Sequence, residues 1–110
     1  MTIITFRSEG NRIIGFDSQG HSGYAEEGED IVCAAITSVI RLVEATLNDV
    51  LGLAASVKIR EEDTFISIRL PGGLSEFAEH TSQTLMTGLM VYFTQLHDEF
   101  PDNIEVMEED

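Results

Sequence analysis

The sequence is short of several residue types, and each shortage excludes a class of protein. Its 110 residues contain one cysteine and no tryptophan, so an internal disulfide is impossible. Six lysine and arginine residues stand against 20 acidic residues, which gives a net charge of −14. This charge repels a phosphate backbone and offers no basic stripe, so we expect no direct nucleic-acid binding.

Long apolar runs and targeting signals are also missing. No stretch approaches the roughly 20 apolar residues of a membrane span, so we expect no membrane association. The first residues, MTIITFRSEGNR, lack the basic start, apolar middle and small-residue cleavage site of a secretory signal. Together with the lone cysteine, these features predict a cytoplasmic protein in a reducing environment.

The residues that are present suffice for one hydrophobic core. A chain of this length with 43% hydrophobic residues predicts a single domain over 1–110. The acidic surface would attract a basic protein or peptide, although negative charge also serves solubility.

The order of periodic segments predicts an α+β fold. Runs rich in β-branched and aromatic residues or alternating in polarity predict strands at 2–8, 12–18, 56–62, 64–70 and 103–107. Apolar spacings of three and four residues predict a helix over 31–51, with Val50 on its buried stripe and Gly52 as its stop, and a second helix from Ser75 to about His97.

The resulting order, ββαββαβ, predicts one domain in which a mixed β-sheet is covered on one face by two α-helices. The sequence after the last strand predicts a short acidic tail at 107–110.

Cys33 is the strongest candidate for chemistry. Asp30 precedes the first predicted helix and can cap its N–H groups, which places Cys33 in the first turn near the positive end of the helix dipole. A thiolate is stabilised there, so we expect a lowered pKa and a nucleophilic sulfur. The alternative is a small buried hydrophobic side chain, the common role of a cysteine outside a disulfide.

His21 is the candidate general base. It lies in the segment GHSGYAEEGED, residues 20–30, whose three glycines and four acids predict a flexible active-site loop. The loop can fold back over the first helix, bring His21 to Cys33 for acyl transfer, and close over a bound peptide as a lid hinged at Gly20. The alternative is an exposed loop histidine with no role in catalysis.

Cofactor chemistry has no support in the sequence. The loop acids do not have the spacing of a calcium loop, and there is no cysteine pair for zinc, no phosphate-binding glycine loop and no GxSxG motif. We therefore expect no metal and no cofactor.

The segment GHSGYAEEGEDIVCAA, residues 20–35, resembles the signature of the ribosomal-processing cysteine protease family, Prp. The similarity extends over essentially the whole chain, and the positions that carry it are Gly20-His21, Gly28, the run Asp30-Ile31-Val32-Cys33-Ala34, Gln83-Thr84 and Asn103-Ile104.

The resemblance implies a bacterial, homodimeric cysteine endopeptidase without a cofactor. Its substrate would be the precursor of large-subunit ribosomal protein twenty-seven, from which it removes an N-terminal extension. Cys33 and His21 would be catalytic, with Asp30, Thr37 and Gly20 in supporting roles. Where the family commonly has serine, Thr37 keeps the hydroxyl and adds a methyl group.

Two other functions compete with this interpretation. A non-enzymatic acidic factor that binds a ribosomal protein or assists ribosome assembly would use the charge of −14 for steering. A thiol redox sensor is the weaker alternative, because the chain has no second cysteine to resolve an oxidised thiol.

Overall fold

The computed structural model describes residues 1–20 and 31–110, which form a five-stranded β-sheet and two helices. The strands are β1 (Thr2–Glu9), β2 (Arg12–Gln19), β3 (Ser56–Arg60), β4 (Phe65–Arg69) and β5 (Ile104–Glu109). The helices are α1 (Ile31–Glu44), which continues as a π-helical segment over Ala45–Val50, and α2 (Glu76–Glu99). The predicted α+β class and the order ββαββαβ are confirmed.

The sheet is mixed, as predicted, with the strand order β3-β4-β2-β1-β5. Both hairpins are antiparallel, and β4 joins β2, whereas β5 runs parallel to β1. Strand β5 continues through Glu109, where Arg7 is its partner in β1. Most of the predicted acidic tail at 107–110 is therefore part of the sheet. The acidic residues of β5, Glu105, Glu108 and Glu109, are exposed, so their charge does not prevent pairing of the backbone.

Three buried phenylalanines join the sheet to the helices. Phe6 and Phe16 are cross-strand partners with ring centroids 5.6 Å apart, and Phe93 of α2 lies 6.3 Å from Phe6. Around them α1 and the π-helical segment bury Val32, Ile36, Ile40, Val43 and Leu47. This cluster holds α1, and with it Cys33, against the domain.

The end of the first helix differs from the regular helix that the sequence predicted. Leu51 N–H donates to Thr46 O at 2.9 Å, a bond that spans five residues. Such π-helical bonding underwinds the helix, so Val50 leaves the buried stripe and is 76% exposed. Gly52 follows in the left-handed region, with φ of +65°, and is the predicted stop.

Within the described chain, one helical stretch, Ile31–Val50, is long and apolar enough to cross a membrane by length and composition. The expectation that no segment approaches such a span was therefore wrong on these two measures. Core helices pass the same test, and this one contributes five buried residues to the hydrophobic core. Its apolar character is accounted for in part by that packing.

The sheet face opposite the phenylalanines carries an ion-pair network centred on Asp17. Arg7 donates from Nε and NH2 to Asp17 Oδ2 at 3.1 and 2.9 Å. Arg69 NH2 lies 2.9 Å from Oδ1, as an ion pair whose alignment is poor for a hydrogen bond. Burial raises the pKa of Asp17, but polar contacts from Ser67, Arg7 and Arg69 outweigh it and leave the pKa below its ordinary value.

We expect Asp17→Asn to lower the free energy of unfolding at neutral pH by roughly 1–2 kcal/mol, because two arginines lose their shared counter-charge. A depressed pKa in the folded state means that this stability is present above the unfolded carboxyl pKa of about 4 and is lost as pH falls through the lower folded value.

Thermal unfolding followed by circular dichroism should show the gap between wild type and variant closing below about pH 4. Asp63→Asn is the control, because Asp63 pairs with Arg60 at 2.9 Å on an exposed turn and should barely matter. A gap that stays constant on acidification would contradict the ion-pair explanation.

Candidate active site

Cys33 lies at the boundary between the core and solvent. It is the third residue of α1 and is half-buried, between buried Val32 and exposed Ala34. The predicted position in the first helical turn is confirmed. Cys33 is not among the fully buried core residues, and it lies at the positive end of the helix dipole.

Thr37 lies one helical turn after Cys33 and is exposed. A separation of four residues places both side chains on the same side of α1. The structure therefore brings together two of the predicted site residues, a thiol and a hydroxyl, at the surface of one helix.

Of the other predicted site residues, one is described by the structure and two are not. His21 and Asp30 fall in residues 21–30, outside the described residues. The pairing of His21 with Cys33, the capping of α1 by Asp30 and the flexible lid stay predictions. Gly20 and Ile31 are described, and they are the two points at which this segment joins the fold.

Gly20 is anchored rather than placed as a simple hinge. Its N–H donates to Thr64 O at 3.2 Å, and its carbonyl accepts a hydrogen bond from Thr2 Oγ1 at 3.2 Å. Its φ is +92°, and a Cβ atom there would lie 2.6 Å from Met1 O. Glycine is required at this position by backbone conformation and by close approach, so the residue before His21 has a fixed location at the end of the sheet.

Gln83, which helped to carry the family resemblance, has a structural role. Its side-chain amide donates to Ile13 O at 2.8 Å and accepts from Ile13 N–H at 2.9 Å. These bonds lie where the register of β1 and β2 shifts, so they satisfy backbone groups beside the irregular pairing. A single glutamine on a helix gave no sequence signal for such a distant contact.

His97, near the end of α2, contacts β5. Its Nδ1 lies 2.6 Å from Ile104 O, and Nδ1 must carry the proton because a carbonyl oxygen only accepts. His80 is exposed on α2. Among residues 1–20 and 31–110, no group of three or more His, Cys, Asp or Glu side chains is arranged to hold a metal.

Comparison with known proteins places these features in a family. A family model described as cysteine protease Prp matches residues 1–105. The chain belongs to the Prp family of cysteine proteases. The predicted enzyme class is thereby confirmed. A curated relative, the ribosomal processing cysteine protease Prp of Bacillus subtilis strain 168, is 28% identical over 100 residues, covering 91% of this chain and 89% of the relative.

Solved structures share the fold. Prp of S. aureus in complex with a covalently linked product peptide matches with a TM-score of 0.80 and 19% identity, covering 99% of this chain and 100% of that one. A protein from Streptococcus mutans, SMU.848, matches with a TM-score of 0.82 and 22% identity, covering 99% and 96%.

We expect Gly20→Ala to destabilise the Prp fold by about 1–3 kcal/mol, because the new methyl group meets a backbone oxygen in a conformation that alanine rarely adopts. The matched control is Gly10→Ala, since Gly10 has φ of +60° but a Cβ atom there would meet nothing within 4 Å.

Chemical unfolding gives the loss of stability in each variant. The difference between the two losses separates the steric clash with Met1 O from the cost of the left-handed backbone conformation. Equal losses would show that the contact with Met1 O contributes nothing. The anchored position of Gly20 leads us to expect an effect of Gly20→Ala on stability in addition to any effect on a hinge.

Proposed function

We propose that this protein is a ribosomal-processing endopeptidase that removes the N-terminal extension from the precursor of bacterial large-subunit ribosomal protein twenty-seven. One observation carries the assignment of the nucleophile: a member of a cysteine protease family has a single cysteine, and it is half-exposed at the start of α1. The name of the B. subtilis relative and the peptide complexes of the S. aureus protein support the substrate.

The proposed reaction has two steps. The Cys33 thiolate attacks the scissile carbonyl carbon, and the C–N bond breaks as the new N-terminal amine leaves with a proton from His21. Water, deprotonated by His21, then hydrolyses the thioester and releases the extension with a new carboxylate. The positive end of the α1 dipole favours both the thiolate and the oxyanion of each tetrahedral intermediate.

Anchoring at Gly20 supports the role of His21. Gly20, the residue before His21, is hydrogen-bonded to Thr2 of β1 and to Thr64. Asp30 would cap α1 beside Cys33, and the exposed hydroxyl of Thr37 would assist from the next turn.

We further propose that the enzyme is a cytoplasmic bacterial homodimer that binds neither nucleic acid nor membranes directly. The charge of −14 disfavours nucleic acid. Leu42, Val50 and Phe77 are 62%, 76% and 73% exposed, and apolar surface of this kind is commonly covered in subunit interfaces.

Cleavage of the purified precursor, followed by mass spectrometry, tests the proposal. Cys33→Ala should abolish cleavage, and His21→Ala should reduce it at least about a hundredfold without changing thermal unfolding. His80→Ala is the control, because His80 is exposed on α2 and has no part in the mechanism. Tight binding of the precursor without cleavage by the wild type would support the acidic binding factor instead.

Alkylation by iodoacetamide tests whether the Cys33 thiol is activated, independently of which peptide the enzyme cleaves. We expect the rate in the folded protein to reach half its maximum below the ordinary thiol pKa of about 8.5, because the helix dipole and an imidazole stabilise the thiolate. The same protein in denaturant supplies the reference profile. Overlapping profiles for folded and unfolded protein would remove the physical basis for an activated nucleophile.

A further inference from the structure

Strand β5 has a free edge. It is the last strand of the sheet, and within the described chain it pairs only with β1. Thr2 N–H donates to Asn103 O at 2.9 Å. In a parallel ladder this bond assigns the odd-numbered residues of β5 to β1 and points the N–H and C=O groups of Ile104, Val106 and Glu108 outward.

Contacts of α2 agree with that assignment. The carbonyl of Ile104, the first of the outward groups, is the one that His97 reaches at 2.6 Å. His97 of α2 therefore occupies the start of the edge, at Ile104. The outward backbone groups of Val106 and Glu108 lie beyond it. Two consecutive outward positions are enough to form a short ladder with another chain.

A groove runs beside this edge, between β5 and the second half of α2. Its volume is about 170 Å³, and its lining consists of Met90, Thr94, His97, Glu105, Val106 and Glu108. An edge strand next to a helix, with apolar side chains for packing and backbone groups available for pairing, is a shape that accepts an extended peptide as an added strand.

The negative charge of the β5 edge favours a basic peptide. Residues 104–110 contain Glu105, Glu108, Glu109 and Asp110 and no basic residue. A second copy of β5 would bring these acids against each other, which is unfavourable. At the opposite edge, β3 carries exposed Lys58 and Arg60. A basic peptide would therefore be attracted more strongly to the strand β5, which has no basic residue, than to β3.

We propose that the free edge of β5 is an exosite that binds an extended, lysine- or arginine-bearing segment of polypeptide as a sixth strand beside Val106 and Glu108. The segment belongs to the ribosomal-protein substrate, outside the bond that is cut. Naming the substrate as the occupant rests on the proposed function, whereas the binding surface itself does not.

Binding is tested with the intact Cys33→Ala protein and a short blocked peptide of alternating valine and lysine. We expect nuclear magnetic resonance to show shift changes along β5 and slower exchange of the Val106 and Glu108 amides. A peptide with glutamate in place of lysine, and one with alternate backbone nitrogens methylated, should both bind at least about threefold more weakly, since they lose the charge and the ladder respectively.

Charge variants localise the site. Glu105→Gln with Glu108→Gln should weaken binding of the lysine peptide about three- to tenfold at low salt and less at about 0.5 M salt. Glu61→Gln with Glu62→Gln is the matched control, because it removes two exposed acids beside the opposite edge and should leave affinity unchanged. Equal effects of the two pairs, or amide changes centred on β3, would overturn the proposal.

Two other outcomes would also overturn it. Equal binding of the methylated peptide would show that no strand is added, and concentration-dependent protection of β5 without peptide would assign the edge to a second copy of the chain.

Cleavage kinetics separate this inference from the proposed function. In the active enzyme, the Glu105 and Glu108 variant should raise KM for the full precursor about three- to tenfold with kcat unchanged, and should leave a short peptide spanning only the cleavage site unaffected. An equal rise in KM for both substrates would overturn the exosite. Failure of the wild type to cleave would refute the proposed function, while peptide binding by Cys33→Ala would still decide whether the β5 edge binds basic strands.

Discussion

The pairing of β1 on both sides is the constraint on which the rest of the structure depends. Strand β1 lies between β2 and β5. Thr2, its first residue, forms hydrogen bonds on both sides of the strand. Its hydroxyl donates to Gly20 O at 3.2 Å, and its N–H donates to Asn103 O at 2.9 Å. One buried residue thus anchors the start of the segment that carries His21 and sets the register of the edge strand β5.

The core and the proposed nucleophile, Cys33, meet in the first turn of α1. Val32 is buried in the hydrophobic core, and Cys33 follows it at the boundary with solvent. Packing of α1 therefore holds Cys33 at this boundary. A position at the edge of a packed helix is consistent with the catalytic role that we propose for Cys33.

The few basic residues are concentrated away from the β5 edge. Arg7 and Arg69 contact Asp17 on the sheet face opposite the phenylalanines. Arg12 contacts Glu79 of α2 at 2.7 Å. Arg7 also reaches Glu109 at 3.2 Å, so the far end of β5 is partly neutralised. The acids nearer the groove, Glu105 and Glu108, have no such counter-charge among the ion pairs of the described chain. Local charge, and not net charge alone, therefore distinguishes this edge.

The sequence by itself determined the element types, their order and the helical position of Cys33, because periodicity and turn residues act over a few neighbouring positions. The tertiary structure decided that β5 lies parallel to β1 and continues to Glu109, and that Gly20 is an anchor against Met1 and Thr64. It also converted the end of the first helix to π-helical bonding. The pairing of β5 and the anchoring of Gly20 depend on contacts between residues far apart in the chain. Local sequence patterns carry no information about such pairings.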